Sequence, residues 1–327
     1  MTATSLIAAP QTRVQRTEQA LFRGASLTLG NTEYRDAVRP LLDSLLEADT
    51  APRDITVDAL RLPRKQAKAD IVAREPGIAA GLEELAFLLR TSQLAVFLLV
   101  KDGTPFTAGE VLARLEGDES KLLSSERVGL NLLQRMCGIA TTAHRLQGRV
   151  SRRNPESRLV ATRKTPCGLL DKRAAHLGGA GTHRLGLGDA ILVKNNHLAM
   201  LGPSEENAAP VAIERAWELR RESAFIEVEV RSAPAALAAA AKFRSVREQD
   251  DRSFPCFLLL DNMSPQEIAR IIEALRAKNL YDDVLIEASG RITEGNIEEY
   301  AAAGADAISV GALTHSVRAL DLAQKIS

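Results

Sequence analysis

Residues 256–290 read CFLLLDNMSPQEIARIIEALRAKNLYDDVLIEASG, a strand, a capped helix and a second strand in direct succession. Phe257–Asn262 is a short apolar run closed by Asp261 and Asn262. Ser264 then offers a hydroxyl to the unpaired N–H groups of a helix start, and Pro265 fits the first helical position because it has no N–H to leave unsatisfied. The spacing predicts a helix over Pro265–Ala277, and Val284–Ser289 supplies the next apolar run. Strand, loop, helix and strand at this spacing argue for a right-handed crossover between parallel strands.

The rhythm extends in both directions. Arg158–Arg163, Ala190–Asn195, Phe225–Val230 and Ala307–Gly311 are further strand-length runs. Ser204–Arg221, Pro234–Arg244 and Thr293–Ala303 are helical patterns, the last expected to be capped by Thr293 with the helix beginning at Glu294. This alternation indicates an α/β fold, either a barrel or an open doubly wound sheet, and six strands leave an eight-stranded barrel incomplete. The preceding half is mixed. Asp36–Ala48 has helical spacing (Val38, Leu41, Leu42, Leu45, Leu46), Leu82–Leu89 reads as a helix, and Lys68–Ala73 and Leu94–Val100 read as strands. Lys101–Glu116 is turn-rich, and a long helical pattern over Ser124–Val150 joins the two halves.

With 327 residues the chain has room for two domains and an ample core. Its 42 basic and 42 acidic residues cancel, so nothing in the net charge points to a nucleic-acid partner. No apolar run reaches the length of a membrane span. Cys137, Cys167 and Cys256 are widely spaced, form no CxxC pair and suit a reducing, cytoplasmic location. Residues 1–30 carry Arg13, Arg16 and Arg23 against one acid, Glu18, without a signal-type apolar core, and are read as an N-terminal extension.

The basic character is local. Arg163, Lys164, Lys172, Arg173, His183, Arg184, Lys194 and His197 fall between Ala161 and His197, as expected for a pocket that takes a polyanionic small molecule. Polar residues also recur at strand ends: Arg163 and Lys164, Lys194 and Asn195, Asp261 and Asn262, Glu287 and Ser289. In a barrel those ends open on one face, where active sites are built. The turns at Ser289-Gly290 and Gly311-Ala312 follow the last two strands, where backbone N–H groups commonly hold phosphate. Glu229 and Asp261 would be costly to bury alone, so they should meet cations or a metal, and two acids opposite several cations suit a Mg²⁺–pyrophosphate substrate. No HxH or HExxH spacing supports zinc; His144 and His176 read as helix-surface residues, and Cys167 as incidental.

A run of segments in order then carries a family resemblance: SERVGLNLLQRMCGIAT (125–141), TRKT (162–165), GGAGTHRLGL (178–187), VKNNH (193–197), EVEV (227–230), LLDNMSP (259–265), EASGRIT (287–293) and ISVGALTHS (308–316). From about Ala51 to Ser316 the chain resembles the quinolinate phosphoribosyltransferase family. The resemblance implies an N-terminal α/β sandwich domain over 31–138, rejoined by 314–327, and an open, incomplete α/β barrel over 139–313. It implies a homodimer or higher homo-oligomer. The implied reaction joins quinolinate to phosphoribosyl pyrophosphate with Mg²⁺, giving nicotinate mononucleotide, pyrophosphate and CO₂ on the way to NAD. By the same resemblance Arg163, Lys164, His183 and Arg184, with Arg127 of a neighbouring subunit, bind the acceptor carboxylates. Lys172 and Lys194 face the donor, and Glu229 and Asp261 lie near ribose and magnesium. Lys164, Lys194, Glu229 and Asp261 carry the catalytic roles, and Ser289, Gly290, Gly311 and Ala312 hold the 5′-phosphate.

The chain departs from the family pattern at five places. The loop TRKTPCGLLDK is shortened and lacks an arginine, Ala161 stands where an aspartate is common, and Asn195 replaces an acid. Arg291 replaces a glycine, and an insertion lies between Glu229 and Asp261. A related phosphoribosyltransferase with a different aromatic acid acceptor therefore stands as the alternative, and a non-catalytic phosphate-sugar binder as the reading from another class.

Overall fold

The computed structural model describes residues 11–51, 53–61 and 65–327. Residues 1–10 of the expected extension lie outside them. In chain order the elements begin with helices α1 (Arg13–Leu21), α2 (Thr32–Thr50) and α3 (Ile55–Leu60), then strands β1 (Gln66–Ala73) and β2 (Gly77–Ile78). Helix α4 (Leu82–Thr91), strands β3 (Ala95–Leu98), β4 (Pro105–Phe106) and β5 (Val111–Asp118), and the long helix α5 (Glu119–Arg153) follow. Next come β6 (Arg158–Ala161), α6 (Leu169–Leu177), β7 (Ile191–Val193), α7 (Asn195–Ala199), α8 (Glu205–Glu218), β8 (Ile226–Val230), α9 (Ala233–Gln249) and β9 (Cys256–Asp261). The chain finishes with α10 (Pro265–Ala277), β10 (Leu285–Ser289), α11 (Ile297–Ala302), β11 (Ala307–Val310), α12 (Ala312–His315) and β12 (Leu322–Ile326).

These elements form two compact units that interleave in sequence. One contains Phe22–Arg149, Leu159–Leu185 and Val310–Ser327; the other contains residues up to Leu21, Val150–Arg158 and Gly186–Ser309. The stretch 139–313, read from the sequence as one domain, is thus shared between them.

The first unit is built on an antiparallel sheet in the order β12-β1-β5-β3. Strand β1 pairs with β5 (Ala69 opposite Leu115) on one side and with β12 (Ile71 opposite Gln324) on the other, so the C-terminal residues complete this sheet. Strand β5 occupies residues that read as turn-rich in sequence. Arg114, Glu116 and Gly117 give it little strand propensity, and its pairing with β1 overrides that. Helix α5 lays Leu130, Leu133, Cys137 and Ala140 into the core at helical spacing. Gly178, just after α6, lets that helix end approach α5: a Cβ there would stand 2.2 Å from the Ala140 carbonyl oxygen.

The second unit holds strands in the order β11-β10-β9-β8-β7, every adjacent pair parallel. Ile226–Val230 are all buried, as are Cys256–Leu260, which is why both strands read as unbroken apolar runs without alternation. Ser264 caps α10 as expected, its hydroxyl accepting from Glu267 N while Glu267 accepts from the Ser264 backbone. Thr293 does not cap a helix at Glu294. Residues 293–296 form a turn in which Asn296 Oδ1 accepts from Thr293 N at 2.7 Å, and the helix starts at Ile297. Helix α1 docks on this unit through Arg13, whose guanidinium meets Asp306 and the carbonyls of Tyr281 and Val284, and through Glu18, which pairs with Arg158 at 2.7 Å. The length gained between Glu229 and Asp261 is taken up by α9 and residues 250–255, before β9 begins and therefore at the opposite end of that strand from Asp261.

No helix among the described residues is long and apolar enough to cross a membrane.

Candidate active site

The cations expected on the acceptor side, Arg127, Arg163, Lys164, His183 and Arg184, all belong to the first unit. Strand β6 ends at Ala161, and Arg163 and Lys164 follow it exposed on a loop. Lys164 is held by its backbone: its N–H donates to Thr162 Oγ1 (3.1 Å) and its carbonyl accepts from Thr314 Oγ1 (2.9 Å). Gly311 lies against the Lys164 side chain, where a Cβ would come within 3.4 Å of its Cδ and 3.0 Å of His315 Nε2. The shortened loop closes on itself, since Thr165 Oγ1 donates to Asp171 and accepts from Cys167 N. Gly168 follows at φ +53°, which glycine adopts without strain, and leads into α6.

A second pair of basic residues, His183 and Arg184, is buried. His183 has φ +54°, a conformation uncommon outside glycine and enriched at functional sites. Arg184 N donates to His183 Nδ1 at 2.7 Å, so the neutral ring carries its proton on Nε2. The two cation segments are tied together by Lys172. That side chain is 1% exposed, and its ammonium donates to the carbonyls of Ala161 (3.2 Å) and Thr182. Lys172 therefore links the residue before the Arg163-Lys164 loop to the residue before His183-Arg184. Ala161 takes part through its carbonyl, and the departure from aspartate leaves that link intact.

Sequence reasoning missed the support beneath this loop. Asp171 is fully buried and receives a two-point contact from Arg135 of α5, Nε to Oδ1 at 2.8 Å and a terminal nitrogen to Oδ2 at 2.6 Å. A third hydrogen bond runs from the same guanidinium to the Thr314 carbonyl at 2.8 Å. Arg135 and Asp171 stand 36 residues apart, and no local pattern links them. His176 is likewise half-buried and not the surface residue its helix position suggested; burial and the charge of Arg173 lower its pKa. Arg127, exposed on α5, has Glu126 nearby at 3.8 Å. An apolar hollow of about 350 Å³ between α2, α5 and the 167–171 segment lies apart from these cations; its one arginine, Arg135, is committed to Asp171.

In the second unit the expected residues sit at strand C-termini. Lys194 follows β7, exposed, and its N–H donates to His197 Nδ1 at 2.9 Å. Glu229 is 9% exposed, and its pKa is raised from the ordinary glutamate value by burial and by the charge of Asp261, against the pull of the Asn195 N–H, Lys194 and Arg231. Asn195 reaches Glu229 Oε1 through its backbone N–H at 3.5 Å, a contact that needs no acid at that position. Asp261 and Ser289 are register partners in neighbouring strands, and Asn262 N donates to the Ser289 carbonyl at 2.9 Å. Gly290 has φ +90°, and a Cβ there would stand 2.6 Å from Asn262 Oδ1 and 2.7 Å from Asn262 N. Arg291 adopts φ +53°, the left-handed region that glycine fills without strain, at a cost of about 1–2 kcal/mol. Gly290→Ala is expected to lose at least about 1 kcal/mol of stability from backbone strain alone, read as a lower urea midpoint. An unchanged midpoint would show that the 289–291 turn relaxes freely.

The C-terminal domain of quinolinate phosphoribosyl transferase matches residues 139–325 and the N-terminal domain of the same family matches residues 54–137. A probable nicotinate-nucleotide pyrophosphorylase (carboxylating) of Methanothermobacter thermautotrophicus is 36% identical over 288 residues, 88% of this chain and 98% of that protein. The nicotinate-nucleotide pyrophosphorylase (carboxylating) of Mycobacterium leprae is 34% identical over 306 residues, 90% of this chain and 98% of its own length. Among solved structures, the nicotinate-nucleotide pyrophosphorylase from Francisella tularensis superposes with a TM-score of 0.76 at 29% identity, covering 89% of this chain and 96% of that one.

Proposed function

The chain belongs to the quinolinate phosphoribosyl transferase family, and we infer from this that it transfers phosphoribose from phosphoribosyl pyrophosphate to quinolinate with loss of CO₂. The products are nicotinate mononucleotide and pyrophosphate, which places the chain in NAD biosynthesis. The observation that carries this reading is the pair of cation segments, Arg163-Lys164 and His183-Arg184, cross-linked through Lys172. Quinolinate has two adjacent carboxylates, and planar guanidinium groups grip carboxylates at two points. Incubation with quinolinate, phosphoribosyl pyrophosphate and Mg²⁺ tests the reading. Nicotinate mononucleotide should form, and no product above a no-enzyme control would overturn it.

On the donor side, Glu229 and Asp261 supply oxygen ligands at adjacent strand ends, a donor set that fits Mg²⁺. Mg²⁺ held there would neutralise charge on the pyrophosphate leaving group. The same two acids face the positive ribosyl centre that develops as pyrophosphate departs, and Lys194 lies with them at the strand ends. Ribosylation makes the pyridine nitrogen cationic; that charge stabilises the electron pair left at the adjacent ring carbon as CO₂ departs, and the carbon then takes up a proton from solvent. The protein's part is to position and neutralise, and no protein nucleophile is required. Ser289, Gly290, Gly311 and Ala312 are assigned to the 5′-phosphate.

Arg127 is assigned to the acceptor site of a second copy of the chain, which makes the working form a homodimer or a larger homo-oligomer. Its exposed guanidinium supports this. Arg163→Ala and Arg127→Ala should each raise the quinolinate KM by roughly 10- to 150-fold, the equivalent of a charge-assisted hydrogen bond of about 1.5–3 kcal/mol. Mixing Arg127→Ala with an Arg163→Ala variant should restore some activity in mixed dimers. Unchanged KM in both variants would remove them from the acceptor site. The three free thiols suit the reducing cytoplasm, where we place the chain.

The compact 165–168 turn favours a second reading, a different aromatic acid as acceptor. Competition by a panel of pyridine and imidazole acids separates the two.

A further inference from the structure

Helix α6 carries three consecutive charged residues, Asp171, Lys172 and Arg173, that are 0%, 1% and 4% exposed. Successive helical residues point about 100° apart, so the three side chains leave the helix in different directions. Asp171 goes to Arg135 and Lys172 to the carbonyls of Ala161 and Thr182. Arg173 goes elsewhere: its Nε meets Glu84 Oε1 at 2.7 Å, one terminal nitrogen meets Glu83 (2.7 Å) and Asp102 (3.4 Å), and the other donates to the Leu27 carbonyl. Tyr34 donates its hydroxyl to Glu84 Oε1 at 2.9 Å, and Asp102 in turn caps α4 through Leu82 N at 3.0 Å. One guanidinium thus joins α2, α4, the turn at Asp102, the 24–27 segment and α6. None of these contacts is used by the reaction described above.

We propose that Arg173 is a positioning residue for acceptor binding, which through Glu84, Glu83 and Asp102 fixes the rotation of α6 and with it the 162–168 loop that presents Arg163 and Lys164. A helix held by three buried charged contacts has one rotational setting, because turning it to relieve one contact breaks the other two. The inference rests on the phosphoribosyl-transfer reading and on its assignment of Arg163 and Lys164 to the acceptor.

The arrangement also makes acceptor binding sensitive to pH. Burial and the charge of Asp102 push the Glu84 carboxyl up to about 7, against the pull of Arg173 and the Tyr34 hydrogen bond. The other charged or titratable groups around it are Glu83 beside it on α4, Tyr34 on α2, Arg173 on α6 and Asp102; Lys101 and His176 line the adjoining surface cavity. Above about pH 7 Glu84 is ionised and its hold on Arg173 is a charge pair. Below it the carboxyl is neutral and the hold weakens. For stability the sign is opposite: a carboxyl raised in the fold contributes most below its unfolded pKa and loses that contribution as pH rises through about 7. Glutamine resembles the neutral form that burial favours, so Glu84→Gln should fold.

Steady-state kinetics of the full chain and of Glu84→Gln and Arg173→Lys between pH 6 and 8.5 test the proposal. Activity of the unaltered chain establishes the assay, so a failure of the proposed function is seen first and separately. Both variants should raise the quinolinate KM about tenfold at pH 8 and leave the phosphoribosyl pyrophosphate KM within about twofold, since a small misplacement of a binding loop is costly. The unaltered chain should show its quinolinate KM rising as pH falls through about 7, and Glu84→Gln should lack that rise. Overturning results are a quinolinate KM and pH profile identical to the unaltered chain in both variants, or equal rises in both substrates' KM.

Discussion

Glu229→Gln should lower kcat by at least about 10²-fold while the chain remains folded. Glutamine preserves the shape of the side chain and its contact with Asn195 N, and removes only the charge. Electrostatic groups aimed at charge that develops in a transition state are commonly worth about 10²–10³ in rate. A variant with unaltered kcat would take Glu229 out of the reaction.

Arg135→Ala should cost about 3–5 kcal/mol of stability, the penalty for leaving a buried ion-pair partner without its counter-charge. Asp171 is 0% exposed, whereas the Arg135 side chain is 27% exposed. The two ends of this pair are therefore unequal. Removing the arginine leaves a carboxylate set in the fold without its counter-charge, with the Thr165 hydroxyl as its remaining hydrogen bond. Asp171→Asn leaves an arginine that can turn toward solvent, and should cost distinctly less. Urea midpoints of the two variants, measured side by side, give the comparison. Equal losses under 1 kcal/mol would mean that α6 is held by its apolar residues and not by this pair. Because Thr165 also bonds Asp171, the Arg135 variant should loosen the 165–168 turn, which hydrogen exchange at those amides would register.

The sequence was informative wherever a signal is local. The parallel strands β8, β9 and β10 are legible because both of their faces are covered, which demands uninterrupted apolar runs. Helix α10 is legible because Ser264 and Pro265 satisfy the requirements of a helix start within two residues. The strand-end acids and the 161–197 cations are legible because charge is expensive to bury and so stands out inside apolar sequence.

What escaped was decided by contacts between distant residues. Strand β5 has weak propensity and exists because β1 pairs with it; α11 starts three residues after the expected point because Asn296 closes a turn on Thr293. Arg135 lies 36 residues from Asp171, and Asp102 and Glu83 lie 71 and 90 residues from Arg173, with Glu84 beside Glu83. The departures read from the sequence as threats to the site look different once folded. Ala161 and Asn195 act through their backbones, which any residue supplies, and Arg291 accepts a left-handed conformation in place of glycine. Sequence by itself determined which chemical groups this protein carries and that its second half is a parallel α/β sheet, since composition and periodicity are local properties. Only the tertiary structure decided that Lys172 is a buried cross-link between two cation loops and that α6 is keyed by three charges, because such roles depend on which distant carbonyls and carboxylates a side chain meets.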